Sequence, residues 1–326
     1  MNVEEVFSEF DKLKVLIIGD VMLDSYLWGK VERISPEAPV PIINVQKREV
    51  RLGGAGNVAL NIMSLGAKPV LCSVIGQDLD GDTFLNLLNK HGMEKSGIIQ
   101  TEGRPTSIKH RIIAGSQQML RVDSETDKEI KEFLTSKLLE KITLLLEDCQ
   151  VVIFEDYDKG VITPSLIKQV VKMTTEKGIP TVVDPKKRNF LAYEGVTLFK
   201  PNLKELKEGL KIDFDKADKN EVKHASDLLR DKLNIKSTLI TLSEYGIFVS
   251  DGEDNHFIPA HLRSISDVSG AGDTVVSVAA LALALKLPLN QVAELSNLAG
   301  GIVCEYIGVV PIDKARLKEE AKAIFN

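Results

Sequence analysis

Five short runs hardly alternate apolar with polar residues, and they constrain this chain more than any other feature. They lie at 15–19 (VLIIG), 70–75, 151–154 (VVIF), 181–183 (TVV) and 239–242. Strands without a polar face are buried on both sides, as in a parallel sheet covered by two helix layers. Amphipathic or apolar helical patterns fill the gaps, near 57–65, 80–91, 128–146, 164–177 and 222–232. This alternation predicts βαβ units, a mainly parallel sheet and a three-layer α/β/α sandwich. Right-handed crossovers then bring ligand sites to the carboxyl ends of the strands.

Two stretches break the rhythm. Residues 25–50 carry Pro36, Pro39 and Pro41 and show no helical period, and 105–123 reads as short strands around Gly115. Long irregular stretches are more often lids than idle loops, so the two are expected to form a small β-sheet flap. No repeat, low-complexity run or linker divides the chain, and residues 1–326 read as one domain.

Composition narrows the function classes. A net charge of −6 over 326 residues argues against bulk binding to a nucleic-acid backbone, while leaving room for a local anion pocket. Cys72, Cys149 and Cys304 form no CxxC pair, the usage of a reducing compartment. The acidic start MNVEEVFSEF is no secretory signal, and the longest apolar stretch, 275–285, is too short to cross a bilayer. A cytoplasmic protein with neither membrane nor nucleic-acid partner is the expectation. The chain has no GxxxxGK[ST], no GxGxxG after a strand and no HExxH, which disfavours a P-loop enzyme, a dinucleotide oxidoreductase and a zinc hydrolase.

The sharpest chemical signal is DVSGAGDT at 267–274, which runs directly into an apolar helix. Consecutive small residues at a helix start expose backbone N–H groups, and the helix dipole favours negative charge there. Asp273 in that turn would repel a phosphate, but it makes sense as a general base beside an anion hole formed by Gly270, Ala271 and Gly272. A second bare helix start, GGAGN at 53–57, places Gly54 and Asn57 where backbone and amide meet sugar hydroxyls. Asp20 ends the first strand and Asp24 follows it, two carboxylates able to clamp vicinal hydroxyls.

The pairing and order of GGAGN and DVSGAGDT resemble the two signatures of the ribokinase-like (PfkB) carbohydrate kinases, over essentially the whole chain. Finer segments are similar to the D-glycero-D-manno-heptose-7-phosphate kinases, the kinase halves of ADP-heptose synthesis enzymes. These are GDVMLDSY (19–26), RISPEAPVPI (33–42), QQMLRVD (117–123), DYDKG (156–160), DPK (184–186) and PNLKE (201–205). No HxGH-type nucleotidyltransferase motif follows, so the likeness is to the free-standing kinase. The resemblance implies a β lid, a homodimer formed through it, ATP as phosphoryl donor and a magnesium ion. It implies transfer to the anomeric hydroxyl of heptose 7-phosphate, giving the 1,7-bisphosphate. A kinase of this family for another sugar, sugar phosphate or nucleoside would share Asp273 but need no cations aimed at a substrate phosphate.

Residue roles follow from the same resemblance. Asp273 is the base. Asn202 and Glu205 match NxxE, which places magnesium, often through water. Thr241, Ser243 and Gly246 match the turn beside the nucleotide phosphates, and Asn297 the adenine pocket. Asp20, Asp24, Gly54 and Asn57 fit the sugar, with Arg111, Arg121 and Lys186 as candidates for its phosphate. After DPK the chain reads Lys187-Arg188-Asn189, where relatives often have glycine.

Overall fold

The computed structural model describes residues 2–115, 117–261 and 263–325, so Ser116 of the second flap stretch lies outside the described residues. Helix α1 (Val3–Phe10) and strand β1 (Lys14–Gly19) lead into two long strands, β2 (Val21–Ile34) and β3 (Pro41–Gly54), then helix α2 (Ala55–Ser64). Next come β4 (Lys68–Gly76), α3 (Leu79–Lys90), β5 (Ile98–Thr101), β6 (Ile108–Ala114) and β7 (Gln117–Ser124). These are followed by α4 (Glu132–Leu145), β8 (Val151–Glu155), α5 (Pro164–Lys177), β9 (Thr181–Asp184) and β10 (Leu198–Phe199). Then α6 (Leu203–Leu210), α7 (Lys219–Leu233), β11 (Ser237–Thr241), β12 (Ile247–Ser250) and β13 (Asn255–Ile258) precede α8 (Ala271–Ala284), α9 (Leu289–Val303) and α10 (Lys314–Phe325).

A nine-stranded sheet runs β13-β12-β11-β10-β9-β8-β1-β4-β5. It is parallel from β5 to β11, and β12 and β13 close it as an antiparallel edge. Its two faces follow from the period of two along each strand. Val15 and Ile17 of β1 join the core under α1, α2, α3, α8, α9 and α10, whereas Leu16 and Ile18 join the core under α4, α5, α6 and α7. Val151 and Ile153 against Val152 and Phe154 in β8 repeat the split. The unalternating runs are therefore strands apolar on both faces.

Strand β1 has β4 on one side and β8 on the other, so the crossovers reverse direction at its carboxyl end. A crevice forms at such a switch point. From there β2 rises immediately after Asp20, and β3 returns into α2 at Gly54. Gly54 has φ +57°, and a Cβ on it would stand 2.5 Å from the Asp20 carbonyl oxygen. The irregular stretches form a separate four-stranded lid, order β3-β2-β6-β7, with strands longer than the sequence suggested. Pro36 and Pro39 sit in the β2–β3 turn and Pro41 opens β3, where a missing N–H costs least.

Candidate active site

Helix α8 begins on Gly270, whose φ of +79° takes the chain through the left-handed region and leaves no side chain over the helix end. Asp273, 4% exposed, lies in the first turn. Its Oδ2 accepts from Asn57 Nδ2 at 2.6 Å, and its Oδ1 accepts from the Tyr157 hydroxyl at 2.8 Å. Burial pushes the Asp273 carboxyl up to about 6, against the pull of these two hydrogen bonds. The structure thus brings both glycine motifs onto one carboxylate. Of the three amides assigned to the anion hole, that of Ala271 already donates to Val268 O at 3.3 Å, which leaves Gly270 and Gly272 as the amide candidates.

On the lid side the two carboxylates are not an open clamp. Asp20 Oδ2 accepts from the Tyr157 and Lys159 amides at 2.9 and 3.0 Å, and Oδ1 from the Val161 amide at 3.0 Å. Burial still pushes its carboxyl above the ordinary range. Asp24 is buried and ion-paired with Arg111. Arg111 and Arg51 lie over the Tyr26 ring, 5.4 and 5.0 Å from its centroid, so two guanidiniums meet at the lid floor. Arg121 faces Arg111 in register on β7, but it is exposed and bonded to Asp123 at 2.9 Å.

Lys186 stands apart from these lid cations. It follows β9 and reaches Glu205 Oε1 at 2.6 Å and Asp184 Oδ1 at 3.6 Å, with its ammonium 5.3 Å from the Tyr157 ring centroid. Buried Lys200 pairs with Asp184 Oδ2 at 2.9 Å, so two cations gather at the end of β9. The departing Lys187-Arg188-Asn189 segment is tied down locally. Lys187 pairs with Glu208, Arg188 with Asp127, and Asn189 Nδ2 donates to Asp156 Oδ2 at 3.1 Å.

Asn202 and Glu205 form a reciprocal cap on α6, with bonds of 2.8 and 2.9 Å, and Asn202 bridges to Thr241 at the end of β11. Ser243, at φ +55°, opens a tight turn in which the Gly246 amide donates to Ser243 O at 3.0 Å. Asn297 on α9 donates to Pro259 O at 2.8 Å, which ties that helix to the loop after β13.

Magnesium needs hard oxygen donors. The Glu205 carboxylate is occupied by the cap and by Lys186. Better suited are the carboxylates of Glu155, Asp184 and Asp273, whose ligand oxygens lie within 4.8 Å of one another. Glu155 is fully buried with neither oxygen hydrogen-bonded among the described residues, and burial followed by Asp184 and Asp273 pushes its carboxyl well above the ordinary range. Among the described residues only Glu155 of the three offers free oxygens, since Asp184 is shared with Lys200 and Lys186 and Asp273 with Asn57 and Tyr157, so the set fits a divalent cation through Glu155 first. Sequence reasoning passed over Glu155 and Tyr157. The signal for Glu155 was an acidic residue ending an otherwise apolar strand, VVIFE.

A mainly parallel three-layer sandwich with a side sheet rooted at the switch point is the ribokinase-like fold. Escherichia coli phosphofructokinase-2 in complex with potassium superposes with a TM-score of 0.78 at 19% identity, covering 96% of this chain and 98% of that one. Arabidopsis thaliana ribokinase complexed with ribose and ATP gives 0.72 at 15% identity, covering 94% and 99%. The pfkB family carbohydrate kinase profile matches residues 12–315. Bifunctional protein HldE of Campylobacter fetus is 40% identical over 296 residues, 91% of this chain and 64% of that protein. HldE of Trichlorobacter lovleyi is 38% identical over 317 residues, 97% of this chain and 64% of that protein. The chain belongs to the pfkB family of carbohydrate kinases. It spans just under two thirds of the length of these HldE relatives.

Proposed function

We propose that the chain transfers the γ-phosphoryl group of ATP to the anomeric hydroxyl of D-glycero-D-manno-heptose 7-phosphate, giving the 1,7-bisphosphate for nucleotide-activated heptose synthesis. The kinase chemistry rests on one observation above all, a buried Asp273 at the amino end of α8 held by a donor on each oxygen. The hydroxyl proton passes to Asp273 as the sugar oxygen attacks the γ-phosphorus. The bond to the β–γ bridging oxygen breaks, and ADP leaves. The Gly270 and Gly272 amides and Lys186 and Lys200 meet charge on the transferred group, work of alignment and electrostatics rather than covalent catalysis. Magnesium supplies neutralisation of the phosphate oxygens when bound; Glu155 and Asp184 would hold it, with Glu205 acting through water.

The heptose 7-phosphate reading draws support from the segment resemblance and from the Arg51–Tyr26–Arg111 stack, which sets guanidiniums at the lid floor. Loss of one charge-assisted contact costs about 1.5–3 kcal/mol, so heptose 7-phosphate should outperform the free heptose by roughly 10- to 150-fold in kcat/KM. A panel of free and phosphorylated sugars with ATP checks this. Equal efficiency on both heptoses would reassign the substrate while leaving the kinase reading in place.

A further inference from the structure

We propose that Tyr157 is the positioning residue of the base: its phenol, reaching across from the β8–α5 loop, fixes the plane of the Asp273 carboxylate for proton transfer. The inference deepens the kinase reading and rests on Asp273 as the base. Its ground is geometric. A carboxylate rotates through a broad, two-fold torsion at its last bond, and a donor on one oxygen alone leaves that rotation open. Asn57 holds Oδ2 from α2, and Tyr157 holds Oδ1 from the opposite side at 2.8 Å. Donors on separate oxygens, carried by separate elements, leave one orientation and keep a lone pair free for an incoming hydroxyl. Without the phenol, Lys186 and the neighbouring carboxylates of Asp184 and Glu155 compete to set the angle.

The loop that carries Tyr157 is itself fixed by the lid root. The amides of Tyr157, Lys159 and Val161 all converge on Asp20, the last residue before the lid strand β2. Asp158 takes a left-handed φ of +56°, which lets the chain wrap around that carboxylate. Lys186 lies over the ring of Tyr157, so the aromatic body is wedged between the cation and the base. Base and lid root are therefore joined through five residues of one loop, alongside the α2 path in which the Ala55 amide donates to Asp20 O and Asn57 holds Asp273, and removing the phenolic oxygen cuts the loop path alone.

Tyr157→Phe removes that oxygen and keeps both the ring under Lys186 and the amide on Asp20. With the best acceptor of the sugar panel, single-turnover phosphoryl transfer should slow by roughly 10- to 100-fold, while KM for sugar and ATP stays within about threefold. A structural role would move KM or the thermal midpoint instead. The decisive readout is a double-mutant cycle with Asp273→Asn. If the phenol acts through the carboxylate, adding Tyr157→Phe to Asp273→Asn costs less than about threefold, whereas independent action multiplies the two losses. Wild-type transfer by Tyr157→Phe, or multiplying losses, overturns the inference while Asp273 remains the base. Wild-type transfer by Asp273→Asn removes the base reading, and this inference with it.

Discussion

Asp273 is a buried acid held by two donors, and replacing it with asparagine separates its chemistry from its packing. Asn keeps the size and cannot take a proton, so the chemical step is expected to fall by about 10²–10⁴, the contribution of a general base. Stability changes little because two effects oppose each other. One donor loses its acceptor, while the cost of burying a charge disappears. Quench-flow transfer alongside thermal unfolding checks both halves. Asp273 and Asn57 were legible because bare glycine turns mark helix starts and so mark what stands beside them. Tyr157 was not. Nothing local to DYDKG says that position 157 meets position 273, and only the order of strands around β1 brings the β8–α5 loop over α8. The surroundings of Lys186 were hidden for the same reason: DPK lies at the end of β9, beside Asp184 and Glu205, and a cation in a sequence carries no direction.

At the scale of elements, the strands apolar on both faces could be read directly, since burial on two sides leaves its mark at every position. The lid could be read only as an irregularity. Its strands carry mixed burial because they cover a crevice and not a core, and β7 is exposed along its whole length. The short edge strands β12 and β13, four residues each, and the eight-residue helix α1 gave too few periods to be recognised, whereas α9 and α10, fifteen and twelve residues long, were long enough to read and were passed over. An exposed edge strand is a template for pairing, and Met119, Leu120 and Val122 on β7 are 39%, 54% and 46% exposed. We propose that a second copy covers this sheet, making a homodimer through the lid. Sedimentation should show a dimer that Leu120→Lys converts to monomer; an unchanged sedimentation coefficient would place the contact elsewhere. Sugar binding should also slow hydrogen exchange in 25–50 and 105–123, because closure excludes water from the transfer. Equal protection with and without sugar would make the sheet a fixed surface.

For the whole molecule, the distinctive property is a store of buried acid beneath the strand ends. Burial pushes Asp156 and Asp273 up to about 6, raises Asp20, and carries Glu155 well above the ordinary range. In the unfolded chain all four titrate near 3.8–4.5. Between those values and the folded ones, the native state holds protons that the unfolded state has released. Stability therefore falls as pH rises through that window, by about 1.4 kcal/mol per group for each pH unit of full difference. Below it the sign reverses, because carboxylates such as Glu49, held down to about 2 by Arg51 and Lys47, lose their ion pairs on protonation. The ligand-free protein in a chelator should accordingly melt at a higher temperature at pH 5.5 than at pH 7.5. Excess magnesium should reverse the order. An ion held at Glu155 requires that carboxyl ionised, so its stabilisation grows with pH as Glu155 sheds its proton. Differential scanning calorimetry at the two pH values, with and without magnesium, reads both effects. A midpoint that rises from pH 5.5 to 7.5 in the chelator would show that the buried acids are already ionised without the ion. A magnesium shift equal at both pH values would place the ion away from Glu155.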